Sequence, residues 1–199
     1  VLEHFNLDVP AGTTVAIVGE TGAGKSTLVN LVCRFYEPTA GKILIDGCDV
    51  RDRAQIWLHS QIGYVLQTPH LFSGSVAENL RYGNTEATEE EMWQALHLIS
   101  ADKVVERMGQ GLQSDVGEGG DSLSTGEKQL LSFARVLLAD PRIFVLDEAT
   151  SSVDSETERL IQNATETVMR GRTSFVIAHR LSTIRNADVI LAVRGGKIV

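Results

Sequence analysis

The stretch Gly19-Glu20-Thr21-Gly22-Ala23-Gly24-Lys25-Ser26-Thr27 decides how this chain folds and, through the fold, what it can bind. It follows the apolar run Thr14-Val15-Ala16-Ile17-Val18 and precedes a helical pattern carrying Leu28, Val29, Leu31, Val32 and Phe35. Strand, loop and helix in that order are the context that G-x-x-x-x-G-K-[ST] requires. The glycines let the backbone curl so that successive N–H groups face phosphate oxygens, and the helix behind them adds the positive end of its dipole. Lys25 can reach the β- and γ-phosphates, Ser26 can ligate Mg²⁺, and Thr27 can donate to a nearby phosphate. A glycine-rich turn that binds nothing would carry similar letters, but the residues further along argue against it.

Phe5, Leu7 and Val9 alternate with Asn6 and Asp8, the period of a half-buried antiparallel strand. Lys42-Ile43-Leu44-Ile45 followed by Asp46-Gly47 reads as a strand and turn, and Ile62 to Leu66 as a short apolar strand ending at Gln67. From about Thr68 to Ala139 the texture is helical; Met92, Ala95, Leu96 and Ile99 keep helical spacing behind Glu89-Glu90-Glu91. Ser124-x-x-Glu127 is a capping box opening a helix with Leu130, Leu131, Ala134 and Leu138 on its inner side. Ile143-Phe144-Val145-Leu146 then reads as a parallel strand buried on both faces, ending in Asp147-Glu148. Ser155-Glu156-Thr157-Glu158 has the letters of another capping box. Ser174 to Ile177 is the next strand, ending at His179, and Val189 to Val193 the last long one.

Alternating strands and helices with a phosphate loop at the first crossover give a doubly wound α/β core, whose ligands sit beyond the carboxyl ends of the strands. Gln67, Asp147, Glu148 and His179 each end an apolar strand, so all could converge on phosphates held by Lys25. Asp147 stands where such enzymes hold Mg²⁺. Glu148 can orient the attacking water or take its proton, His179 can hydrogen-bond the γ-phosphate or that water, and Gln67 can reach metal or water. His4, His59, His70 and His97 read as structural.

The chain of 199 residues carries a net charge of −8 and a pI near 5.1, which disfavours a nucleic-acid-binding face. No apolar run approaches a membrane span and no signal peptide opens the sequence, so any membrane part is expected to lie outside it. Cys33 and Cys48 form no C-x-x-C pair and suggest a reducing compartment; Cys33 falls on the apolar side of the first helix. Both ends read as cut from a longer polypeptide.

Together these motifs resemble the nucleotide-binding domain of ABC transporters. Gly19 to Thr27 matches Walker A, Gln67 the Q-loop, Ile143 to Asp147 Walker B, Glu148 the catalytic carboxylate, Ser152-Val153-Asp154 the D-loop and His179 the switch histidine. Leu123 to Gln129 resembles the signature, usually Leu-Ser-Gly-Gly-Gln, which other P-loop enzymes lack. Residues 34–41, Leu71 to Ser75 and the loop around Glu118 look like the exporter branch, in which the domain is fused to membrane helices. The resemblance implies a P-loop NTPase core with a mostly parallel sheet and flanking helices, an antiparallel β subdomain and an inserted helical lobe. It implies one domain over 1–199, with the α/β core at 1–67 and 140–199 and the signature lobe at 68–139. Residues 19–27, Ser124, Thr125, Gly126, Glu127 and Asp154 are then expected to bind ATP; Ser26, Gln67 and Asp147 to serve Mg²⁺; and Glu148, His179 and Gln67 to act in hydrolysis. Two domains would close head to tail on ATP at the cytoplasmic face of a membrane.

Two letters depart from the family. Thr125 places a β-branched side chain where glycine is usual, and Glu127 replaces glutamine and adds charge near phosphate. With a complete hydrolytic half-site, that combination points to one subunit of a heterodimer whose second site is weak. The aromatic that usually stacks on adenine is not evident ahead of Phe5. Two other readings share the motifs: a DNA-repair or chromosome ATPase, which would carry a long coiled coil before the signature, and a regulatory module that binds nucleotide without turnover.

Overall fold

In the computed structural model, residues 2–148 and 154–199 are described. In chain order they form β1 (Thr14–Val18), α1 (Lys25–Val32), β2 (Leu44–Ile45), β3 (Cys48–Asp49), α2 (Gln55–Ser60), β4 (Ile62–Val65), α3 (Val76–Arg81) and α4 (Glu89–Leu98). These are followed by α5 (Asp102–Arg107), α6 (Thr125–Ala139), β5 (Ile143–Asp147), α7 (Ser155–Met169), β6 (Thr173–Ile177), α8 (Leu181–Arg185), β7 (Val189–Arg194) and β8 (Lys197–Ile198). Contacts divide the chain into two units. One holds residues 1–64, 141–148 and 171–199; the other is built on residues 65–140 together with α7.

The first unit is organised by a sheet of order β4-β5-β6-β1-β7-β8. β1 lies parallel to both β6 and β7, and β5 parallel to β6, so the mostly parallel sheet expected from the sequence is present. Register aligns Asp147 with Ile177 and Ile177 with Ile17, which brings the carboxyl ends of three adjacent strands level. Val15, Ile17, Val145, Phe175, Ile177, Leu191 and Val193 turn one face of this sheet to Leu28, Val29 and Cys33. Burying each large side chain contributes roughly 1.5–3 kcal/mol. Cys33 is fully buried, and that desolvation pushes its thiol up to about 12. It is a core residue.

The small antiparallel piece is the β2–β3 hairpin, with Ile45 opposite Cys48. Asp46 and Gly47 both take positive φ (51° and 74°), the pair of values a two-residue turn of this hand demands. The strand expected at Phe5–Val9 is not formed. Leu2, Phe5 and Val9 pack on the core while Leu7 is exposed, so the alternation is only partly one of burial, and the segment has no ladder partner among the described residues. Helix α1 also ends sooner than the apolar letters suggest, at Val32, leaving Phe35 beyond it and 51% exposed.

In the second unit three helices open on reciprocal caps: Ser75 with Glu78, Thr88 with Glu91, and Ser124 with Glu127. Each satisfies amides that the first helical turn would otherwise leave unpaired. Helix α7 corrects one expectation. Its cap is Asp154, whose carboxylate accepts from the amides of Glu156 (3.1 Å) and Thr157 (3.0 Å), and Ser155 is the first helical residue. A short carboxylate one position earlier satisfies the same donors that a Ser155 hydroxyl would have taken. α7 packs along α6, burying Ile161, Ala164 and Val168.

Candidate nucleotide site

The loop after β1 is shaped by backbone that only glycine adopts cheaply. Gly22 and Gly24 have φ of 81° and 109°, and a Cβ on Gly19 (φ 154°) would stand 2.2 Å from the Val193 carbonyl oxygen. Gly24 occupies the cap position of α1 without a side-chain hydrogen bond, which leaves the amides of the first turn unclaimed by any side chain. Lys25 is only 8% exposed, and its Nζ donates to the carbonyls of Gly19 (2.7 Å) and Glu20 (3.0 Å). A buried ammonium bonded to neutral carbonyls is under-compensated, and a loop built this way favours an anion. Ser26 is exposed and Thr27 half-buried.

Across the strand ends, burial pushes the Asp147 carboxyl above the ordinary aspartate range, while the nearby charges of His179 and Lys25 pull it down. Asp147 ends β5 and lies within electrostatic reach of both Lys25, the first residue of α1, and His179, two residues past β6. Glu148 is 5% exposed and heavily bonded. Its Oε2 accepts from the amides of His179 (2.8 Å) and Arg180 (2.9 Å), and its Oε1 from the Thr183 hydroxyl (2.8 Å). The exposed His179 lies in the turn between β6 and α8.

This donor set suits Mg²⁺ held partly by phosphate. Magnesium takes oxygen ligands, with one or two carboxylates and the substrate supplying the rest. Asp147 and the Ser26 hydroxyl are oxygen donors of that kind, beside a loop with unclaimed amides.

The other expected residues fall in the second unit. Gln67 is exposed in a bend two residues past β4. Ser124 caps α6: its hydroxyl donates to Glu127 (2.9 Å) and accepts from the Glu127 amide (3.4 Å). Thr125 is the exposed first residue of the helix, and Gly126 is buried behind it. The Glu127 carboxylate also pairs with Arg107; these bonds hold it below the usual carboxylate range against the desolvation that raises it. Asp154 is spent as the α7 cap, while Ser152 and Val153 lie outside the described residues.

A family model described as ABC transporter matches residues 2–151, three quarters of the chain. The chain belongs to the ABC transporter family. It is 52% identical, over all 199 residues, to the fatty acid ABC transporter ATP-binding/permease protein of Mycobacterium tuberculosis (strain CDC 1551 / Oshkosh), covering 32% of that protein. It is 48% identical over its whole length to the probable multidrug resistance ABC transporter ATP-binding/permease protein YheH of Bacillus subtilis (strain 168), covering 30% of it. A solved bacterial Atm1-family ABC exporter with ATP bound superimposes at a TM-score of 0.90 and 41% identity, covering all of this chain and 35% of that one. The chain thus spans about a third of the length of these relatives and corresponds to the nucleotide-binding domain of exporter-type members. No described helix is long and apolar enough to cross a membrane.

Sequence reasoning passed over Thr183, Arg180 and Arg107. Thr183 and Arg180 serve Glu148 from 35 and 32 positions away, and Arg107 meets Glu127 across 20, so no local spacing announces them.

Proposed function

We propose that this domain binds and hydrolyses ATP to drive transport by an exporter to which it is fused, closing head to tail with a second nucleotide-binding domain. The observation that supports the reading is the register that brings the carboxyl ends of β5, β6 and β1 level, with Asp147 and Glu148 closing β5, His179 just past β6 and the Lys25 loop after β1. Loop amides and Lys25 bind the β- and γ-phosphates, and Ser26 and Asp147 are the residues that would hold Mg²⁺. When bound, that ion neutralises charge developing on the phosphate oxygens. Glu148 takes a proton from the attacking water, and His179 steadies the γ-phosphate or that water. Gln67 is assigned to metal and water by the family pattern. Ser124 and its neighbours meet the triphosphate held by the other domain, and closure on two nucleotides does mechanical work on the membrane segments.

Thr125 and Glu127 favour a heterodimer in which the site completed by this signature is weak. The DNA-repair alternative is not favoured: the helices before the signature are short, and the relatives are permease fusions. The test uses the full-length polypeptide with Glu148→Gln, alone and with a candidate second subunit, in labelled Mg-ATP. ATP should be retained through gel filtration in a closed complex, and only with the partner if the heterodimer reading holds. Equal retention by the polypeptide alone would remove the heterodimer; no ATP retention in any combination would remove the motor.

A further inference from the structure

Glu148 is the group on which hydrolysis rests, and the structure does not leave it free to act. A carboxylate offers about four acceptor positions. Three are taken by the amides of His179 and Arg180 and by the Thr183 hydroxyl, and the Arg180 Nε stands 3.6 Å from Oε1. Its own amide is held as well, donating to the Ile177 carbonyl (3.2 Å). A general base must come within hydrogen-bond reach of the water it deprotonates. Here three of those four positions are filled by protein donors, and only 5% of the residue meets solvent.

We infer that residues 179–183 form a latch that holds Glu148 in a withdrawn pose, with the Thr183 hydroxyl as its removable pin. The inference rests on the assignment of Glu148 to hydrolysis. Thr183 is a positioning residue: it acts through Glu148. The latch also explains why the base need not act early. The turn that supplies two of the three donors carries His179, so a shift of this turn that frees Glu148 also repositions the histidine. One motion then readies both groups, and an ATP that has not driven that motion meets no free base. Removing either backbone donor takes a proline, which would also reset the turn, and His179 belongs to the catalytic set, which leaves Thr183 as the group to perturb.

The experiment compares Thr183→Val and Thr183→Ser with the unaltered full-length polypeptide, supplied with its partner if one is required. Each is loaded with ATP, started with Mg²⁺, and quenched to read cleavage in a single turnover; steady-state kcat and KM are measured alongside. A hydrogen bond to a charged group carries enough energy to shift such an equilibrium about tenfold. Thr183→Val is therefore expected to cleave several-fold to tenfold faster with KM unchanged, and Thr183→Ser to match the unaltered protein. Cleavage in Thr183→Val that is unchanged or slower overturns the latch. Should the valine variant fail to bind ATP or to fold, Thr183→Ala is read by the same criterion. Glu148→Gln is the control: undiminished cleavage there overturns the assignment of the base, a failure distinct from that of the latch.

Discussion

Asn79→Ala should cost more than a single polar truncation usually does. Asn79 is fully buried on α3, and its amide is a junction. Oδ1 accepts from the Phe72 amide (2.9 Å) and from the Arg135 guanidinium, while Nδ2 donates to the carbonyls of Phe72 (2.8 Å) and Ser75 (3.0 Å). Arg135 also donates to the carbonyls of Asn79 (2.7 Å) and His70 (2.8 Å), and its guanidinium lies over the Phe72 and Tyr82 rings. Burial draws the Arg135 pKa down to about 10, so it stays charged at neutral pH. Alanine removes one bond to a charged group, worth about 1.5–3 kcal/mol, and three neutral ones near 1 kcal/mol each. Phe72 is an exposed residue, so water recovers part of this, and the net cost should be about 3 kcal/mol. That is a large share of a typical stability of about 5–15 kcal/mol. Urea unfolding should show a midpoint lower by about 1–2 M at an unchanged slope, taking a slope of about 2 kcal/mol/M. Hydrogen exchange should show the Phe72 amide losing protection. A loss below about 1 kcal/mol with Phe72 still protected would refute the reasoning, because the junction would then be replaceable by solvent.

Three further outcomes follow from the geometry. Gly19→Ala puts a Cβ against backbone, the Val193 carbonyl 2.2 Å away, where neither side can yield cheaply; ATP affinity should fall at least tenfold, read by nucleotide titration, and near-normal binding would contradict the packing. Arg107→Ala leaves Glu127 without its cation at the start of α6, so ATP-driven association should weaken several-fold and Glu127→Gln should restore it; no rescue would show that the charge of Glu127 is immaterial. The capping carboxylates Glu78 and Glu91 titrate below the usual glutamate range through their Ser75 and Thr88 caps; at Glu127 desolvation raises the carboxyl, but the Arg107 bond and then the Ser124 cap bring it below that range. Their contribution is full above the ordinary glutamate pKa and disappears as pH falls through the lowered values. Stability should therefore fall as pH drops below the ordinary glutamate value, less steeply in a Ser124→Ala variant; equal slopes would contradict the role of that cap.

The loop after β1 was legible because every part of its signal is local: an apolar strand, glycines at the bends and a helix pattern within twenty residues. The ends of β5 and β6 were legible for the same reason, each an apolar run closed by a chemically distinct residue. Phe5–Val9 misled because Phe5 and Val9 pack on the core while Leu7 stays exposed, and ladder pairing needs a neighbouring edge that the letters cannot supply. Ser155 misled because two candidate caps stood side by side and the carboxylate of Asp154 took the donors first. The bonds that restrain Glu148, the Arg107–Glu127 pair and the Asn79–Arg135 junction all join residues 20 or more positions apart. Only the fold brings them together.

Mg²⁺-dependent ATP turnover by the full-length polypeptide, with its partner where one is needed, tests the central claim most directly when set beside Lys25→Ala and Glu148→Gln. The account predicts that Lys25→Ala loses nucleotide binding, while Glu148→Gln keeps binding and loses phosphate release by a hundredfold or more, the scale of a general base. Turnover that survives Glu148→Gln undiminished would contradict it.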